Sequence, residues 1–206
     1  MKDNSSDLVV WQGWDLRSGA HAVADALEKF EDSAPAFPST DARYELIAVA
    51  ARGFRPPQLL TSSTGDTEQK ASDTEYPGLR QVWSVSYRQI AETAPVTTHP
   101  YAIYLLGVNP PTDVTDEELI VFNDFYTNVH LVEVAERRHA LRAVRYELVE
   151  AIKAPYLGAP RFLAAYEVDE TSASQRRHVG PPYSKGPAVW QGHSTPWRLW
   201  YRRLGS

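Results

Sequence analysis

The segment FNDFYTNVHL at residues 122–131 brings an acid, a phenol and an imidazole within about two helical turns. Tyr126 and His130 have i, i+4 spacing, so a helix places them on one face, while Asp124 is displaced around the axis. In the last turn of a helix the dipole favours the protonated imidazole, which can donate a proton or, after losing it near neutral pH, accept one. We therefore predict that His130, Tyr126 and Asp124 are catalytic residues for proton transfer.

Each of these residues also has a purely structural interpretation. His130 could simply hydrogen-bond the last carbonyls of its helix. Tyr126 lies on the apolar stripe and could be a packing residue, and Asp124 could be a solvated helix residue. The choice depends on the elements that position them.

Those elements occur twice along the chain. The tetrapeptide RYEL stands at 43–46 and again at 145–148, PPQLL at 56–60 is echoed by PRFL at 160–163, and LRQVW at 79–83 by PWRLW at 196–200. We predict two similar halves, residues 1–95 and 96–206, joined near 94–100.

Hydrophobic periodicity assigns a similar order of elements to each half. The first half is predicted to begin with a strand at 8–15, a helix at 19–30 capped by Ser18 and a second strand at 43–51. The segment at 53–78 is a degraded strand, a short helix or a loop, and a closing strand follows at 81–89. The second half is predicted to begin with a strand at 101–108. A helix capped by Thr115, with Glu118 in a capping box, follows and runs to about His130 or slightly past it. Strands at 140–151 and 161–169, a weak helix at 172–178 and a last strand at 196–204 complete it. A Pro/Gly-rich loop is expected at 180–192.

This order predicts an α+β fold of two ferredoxin-like βαββαβ repeats that pair their antiparallel sheets into an α/β barrel. The helix of the first half has only His21, near its start, and nothing like the Tyr126 and His130 pair. We expect the first repeat to be degenerate and structural, and the second to carry the site.

The pattern Phe125-Tyr126-x-x-x-His130-Leu131, followed by a strand containing RYEL, resembles the EthD-like branch of the dimeric α/β-barrel superfamily. The resemblance covers roughly residues 101–203 and, more faintly, 8–90. It implies a barrel around a ligand cavity, with the family's helix-terminal histidine at His130 and its aromatic partner at Tyr126. Related families include cofactor-independent monooxygenases, cyclases, isomerases and decarboxylases that act on aromatic or polyketide-like molecules, and members of unknown activity.

Strand alternation supplies a second set of candidates for substrate binding. In the strand at 140–151, Arg145 and Glu147 share one face, opposite the more apolar face that is expected to cover the helices. We predict that this charged pair points into the barrel and contacts a ligand, the alternative being an edge or solvated position. Tyr166, Trp197 and Trp200 are predicted to form aromatic walls or, equally, core.

Composition excludes several classes of function. The chain has 21 Lys+Arg against 26 Asp+Glu, a net charge of −5, and no long basic run, so neither nucleic acid nor an anionic membrane is an expected partner. It has no cysteine, which rules out disulfides and thiolate chemistry, and it has no metal-ligand spacing around His139, His178 or His193. Phosphate-binding glycine loops are absent, and no signal peptide is evident, so we expect a cytoplasmic protein without a metal or nucleotide cofactor.

Together these features predict a small enzyme without a tightly bound organic cofactor that acts on a small hydrophobic or aromatic molecule. Oxygenation, elimination, decarboxylation and isomerisation remain open. The alternatives are a non-catalytic binding or assembly module with the same barrel, and haem ligation through His130. Because the halves can pair within one chain, we expect a monomer with an internal pseudo-dimer, or a homodimer.

Overall fold

The computed structural model describes residues 8–16, 42–49, 55–64, 78–95, 99–154, 158–175 and 182–205. Eight strands account for about half of these residues: β1 (Leu8–Leu16), β2 (Ala42–Val49), β3 (Leu59–Thr64), β4 (Leu79–Glu92), β5 (Ala102–Asn109), β6 (Arg142–Lys153), β7 (Phe162–Val168) and β8 (Ser194–Arg203). The described helices are α1 (Asp116–Phe125), a π-helical turn (Tyr126–His130), α2 (Leu131–Arg137), α3 (Glu170–Ser174) and α4 (Ala188–Gln191).

The strands form one closed barrel in the order β1-β3-β2-β8-β5-β7-β6-β4, and β4 returns to pair with β1. Every pair of neighbours is antiparallel. Within β1 to β4 the order is β4-β1-β3-β2, and within β5 to β8 it is β8-β5-β7-β6. The two sets of four strands therefore have one internal order, and they meet at the β2–β8 and β4–β6 pairs.

The fold class predicted from the sequence is wrong. The described residues are 52% strand and 22% helix and form a closed eight-stranded antiparallel β barrel, not an α+β, ferredoxin-like α/β barrel. The physical reason is that strands make up about half of the described residues, with β4 and β6 extending to 14 and 12, and that those residues include one long helix, from Asp116 to Arg137, beside the short α3 and α4. Within the described ranges, helices cover the outer face of β5 to β8 only in part and do not form a complete second layer.

Alternation along the strands separates two clusters of buried side chains. One fills the barrel and draws on all eight strands, with Trp83 stacked on Trp197 at a centroid distance of 4.5 Å and an interplanar angle of 10°. The other lies on the outer face of β5, β6, β7 and β8, beneath α1, the π turn and α2. Buried side chains from all eight strands therefore pack against one another inside the barrel.

Matching contacts join the two sets of strands. The Tyr87 hydroxyl donates to the carbonyl of Pro160 at 2.8 Å, and the Tyr201 hydroxyl donates to the carbonyl of Pro57 at 3.0 Å. Gly107 is opposite Trp197 in the sheet, and a Cβ at this glycine would come within 2.6 Å of the Pro160 ring. Trp83 and Tyr87 on β4 therefore occupy positions equivalent to those of Trp197 and Tyr201 on β8, and each tryptophan is opposite a glycine of the neighbouring strand.

Several predicted elements differ in detail from the structure. The ambiguous segment at 53–78 contains β3. The weak helix predicted at 172–178 overlaps the single turn α3, and its residues 176–178 lie outside the described ranges. The predicted loop at 180–192 contains α4. The helix predicted at 19–30 lies outside the described residues.

The helix that carries the predicted catalytic residues is longer than expected. Thr115 and Glu118 form the predicted capping box at its start. The backbone remains helical through the π turn, in which the Leu131 N–H donates to the Tyr126 carbonyl, and ends at Arg137. Since π turns within α-helices occur often at functional sites, this irregularity directs attention to residues 126–130.

Candidate functional site

A cavity of about 380 Å³ lies between the outer face of β5 and β8, the long helix and the segment that contains α4. Tyr104, Leu106 and Val108 form its floor on β5. Its other walls come from the helix, from the 183–193 segment and from β8: His130, Val134, Arg138, Tyr183, Ser184, Lys185, Trp190, Gln191, His193, Thr195 and Arg198. A volume of this size suits a small organic molecule.

His130 is the predicted catalytic residue that lines this cavity. It is 9% exposed, and its Nδ1 atom is buried with no hydrogen-bond partner among the described residues. Its ring lies 4.7 Å from Trp190 and 5.3 Å from Tyr183, centroid to centroid. Because this nitrogen is shielded from the cavity, a ligand there meets another edge of the imidazole ring.

Burial determines the charge of His130. It lowers the pKa of the imidazole from 6.5 to about 4, with further lowering by His193 and Arg137 that Glu133 opposes. The dipole argument, which predicted a protonated imidazole, fails because His130 lies in the middle of a continuous helix and not in its last turn. At neutral pH His130 is therefore an uncharged base.

We expect this shift to make stability depend on pH. Between about pH 4 and 6.5 the unfolded chain holds a proton on His130 that the folded chain does not, so the stabilisation is present above pH 6.5 and is lost as the pH falls. Urea unfolding at pH 7 and pH 4.5 measures how far the free energy of unfolding falls between the two values. This fall should be larger in wild type than in His130→Gln by about 2–3 kcal/mol. The exposed His99→Gln serves as control and should behave as wild type. Parallel pH curves for wild type and His130→Gln would contradict the assignment of a depressed pKa.

Tyr126 lies beside His130 but does not line the cavity. The ring centroids are 5.8 Å apart, and the phenol is fully buried among Phe122, Trp190 and the guanidinium of Arg145. Burial raises the pKa of its hydroxyl, which has no hydrogen-bond partner among the described residues. The phenol therefore supports the wall that carries the imidazole and does not itself contact the cavity.

Arg145 points away from the barrel interior, opposite to the predicted direction. Val144 and Tyr146 fill the barrel, while Arg145 is 1% exposed and faces the helix. Its Nη1 donates to the Thr127 hydroxyl at 2.8 Å and to the Asn123 carbonyl at 3.4 Å, and its Nη2 donates to the Asn123 side-chain oxygen. The predicted direction is wrong because neutral acceptors on the helix bind both Nη atoms of the buried guanidinium, while its Nε has no partner among the described residues.

Arg145 also stacks on two aromatic rings. Its Cζ atom lies 4.3 Å from the centroid of Tyr126 and 4.4 Å from that of Phe162. Burial lowers the pKa of the guanidinium to about 10, so it stays protonated at neutral pH. These contacts fix the π turn against the barrel.

Two of the predicted site residues lie elsewhere. Asp124 is exposed, and its carboxylate accepts a hydrogen bond of 2.7 Å from Asn128 on the same helix. Glu147 is about 40% exposed and pairs with Arg161 at 3.5 Å. The structure does not bring either acid to the cavity.

The three predicted aromatic walls serve as core. Trp197 is inside the barrel, stacked on Trp83. Tyr166 and Trp200 lie beneath the helix, at 5.9 Å and 4.9 Å from Tyr104, whose other side lines the cavity. They support the floor of the site and do not line it.

Sequence reasoning missed most of the cavity wall, in particular Arg138, Tyr183, Trp190, His193 and Arg198. His193 stacks on Trp190 at 4.2 Å, and its Nδ1 lies 2.5 Å from the Trp190 carbonyl. The sequence did carry one signal: the predicted Pro/Gly-rich loop at 180–192 and the residue after it contain aromatic and histidine side chains. Such side chains on a loop indicate a binding site, whereas proline and glycine alone indicate only a loop.

Comparison with protein-family models and with curated proteins finds no match. The EthD-like resemblance therefore remains a prediction. Within the described residues, no cluster of His, Asp and Glu could hold a metal ion. In the same part of the chain, each helix is too short or too polar to span a bilayer.

Proposed function

We propose that the protein is an enzyme that uses the neutral imidazole of His130 as a general base on an aromatic or other hydrophobic small molecule. The observation that carries the proposal is a nearly buried histidine, uncharged at neutral pH, that lines a cavity of about 380 Å³. Since the chain has no cysteine, it needs no oxidising compartment, and we propose that it acts in the cytoplasm.

The environment of His130 sets the kind of proton it can remove. A base with a pKa of about 4 is weak, so it acts best on a proton that the substrate itself makes acidic, such as that of a phenol or of a carbon beside a carbonyl. The aromatic rings of Trp190 and Tyr183 around the imidazole favour a flat substrate. Proton removal of this kind can begin an isomerisation, an elimination or an oxygenation.

Hydrogen–deuterium exchange tests the proposal without requiring the natural reaction. In D₂O, we expect the protein to accelerate deuterium uptake at the acidic carbon of β-tetralone or of phenylpyruvate, followed by mass spectrometry. His130→Gln should lower the catalysed rate by a factor of about 10². His99→Gln, an exposed histidine, should keep the wild-type rate.

The outcomes separate the enzyme from its rival. Exchange that is unchanged in His130→Gln would remove His130 from the chemistry. Binding of the ketones, seen as quenching of tryptophan fluorescence, with no exchange above the buffer rate would instead indicate a non-catalytic binding module.

A further inference from the structure

The charged side chains at the cavity are all of one sign. Arg138, Lys185 and Arg198 line it, and none of the described lining residues is an aspartate or a glutamate. This excess stands out because the chain as a whole has a net charge of −5. A cavity with cations and no acid concentrates anions.

Arg138 is the inner member of the three. Its guanidinium carbon lies 4.0 Å from the ring centroid of Tyr104 and 5.2 Å from that of Trp200. Stacking holds the planar guanidinium in place, yet its Nε is buried with no hydrogen-bond partner among the described residues. A guanidinium fixed at a cavity wall can donate through its Nη atoms to a planar acceptor such as a carboxylate.

Lys185 and Arg198 are exposed and lie at the entrance. No carboxylate in the described part of the chain forms an ion pair with Arg138, Lys185 or Arg198. Their charges are therefore available to a ligand.

Glu133 is the acid that acts on the pKa of His130, and its carboxylate is already hydrogen-bonded within the protein. Glu133 accepts hydrogen bonds from the backbone N–H of Ser184, at 3.1 Å, and from the Ser184 hydroxyl. It holds the 183–185 segment against the helix and does not line the cavity. The positive charge of the walls is therefore not cancelled from within.

The remaining walls are apolar or aromatic. Leu106, Val108 and Val134 are buried, and Trp190 and Tyr183 present rings beside His130. An occupant that satisfies both parts of the wall has a flat hydrophobic body and one anionic group.

We propose that the ligand of this cavity is a small aromatic carboxylate, with its carboxylate at Arg138 and Arg198 and its ring against Trp190. The inference rests on the proposed function, because it names the substrate class of the same site. The carboxylate fixes the molecule at one end and so determines which of its protons meets His130.

Two ligands that differ only in charge test the proposal. β-Naphthoate and β-naphthamide share one ring system, and only the first is an anion. Isothermal titration calorimetry at low salt should show that the carboxylate binds at least about tenfold more tightly. The advantage should fall to a few-fold in Arg138→Gln or Arg198→Gln, and in wild type at high salt.

Arg161→Gln is the matched control, because it removes an exposed arginine that lies outside the cavity. It should retain the wild-type preference. Since Arg138 also packs on Tyr104, the exposed Arg198 provides the variant that leaves the core intact.

Equal affinity for the acid and the amide, or no binding of either, would overturn the proposal. An advantage that survives both arginine substitutions would also overturn it. Preferential binding of the carboxylate together with no deuterium exchange would refute the enzyme and leave the ligand class standing, so the two failures are distinguishable.

Discussion

Replacing Arg145 with alanine is expected to lower the free energy of unfolding by about 3–5 kcal/mol. The substitution removes the donors to Asn123 and Thr127 and the stacking on Tyr126 and Phe162, and it leaves a cavity between helix and barrel. Chemical denaturation followed by tryptophan fluorescence measures the loss.

Arg145→Met separates packing from hydrogen bonding. Methionine fills part of the space and removes a buried charge, so we expect the free energy of unfolding to fall by only about 1–2 kcal/mol. The rate of catalysed deuterium exchange should fall by more than this loss of stability would suggest, because the π turn that carries His130 is no longer held. Arg161→Ala, at an exposed arginine, should change stability by less than about 0.5 kcal/mol. An Arg145→Ala protein as stable as wild type would show that the guanidinium does not hold the helix.

Replacing Trp197 with alanine is expected to cost about 3–5 kcal/mol. Trp197 is 1% exposed at the centre of the barrel and stacks on Trp83, so its removal leaves a void that the closed sheet cannot collapse to fill. Trp197 does not line the cavity outside the barrel. The folded Trp197→Ala protein should therefore bind β-naphthoate with nearly the wild-type affinity.

Trp197→Phe is the conservative comparison, since it keeps an aromatic ring in the stack, and it should cost less than half as much as alanine. The measurement is the unfolding midpoint in urea, together with ligand affinity below that midpoint. Loss of affinity in a stable Trp197→Phe protein would place the ligand inside the barrel and contradict the site described above.

Hydrophobic patterning predicts seven of the strands, β5 by its near-continuous apolar run and the others by apolar residues that recur with period two. The segment LLTSST of β3 was ambiguous because four of its six residues are hydroxyl-bearing, although Thr61 and Ser62 are buried in the sheet. The fold class failed for a different reason. An element order does not state how much of the outer surface the helices will cover.

The site was predictable where one helix determined it and not where distant segments meet. The i, i+4 spacing of Tyr126 and His130 placed the two rings together. Strand alternation gave the two faces of β6 but not which face is inside, and apolar composition suggested the wrong one because the barrel interior is also apolar. Arg138 and Arg198 are 60 positions apart, and no local pattern reveals that they share a cavity.

The β2–β8 and β4–β6 pairs, at which the two sets of four strands meet, impose an order on the assembly of the barrel. As the chain emerges from the ribosome, β2 and β4 appear first, and each has an unpaired edge. The edge of β4 is covered once β6 is made, but β2 must wait for β8, which follows every other described strand. Until then the nascent chain presents a free strand edge, and slow translation of its C-terminal part should favour its capture by chaperones or by a neighbouring nascent copy.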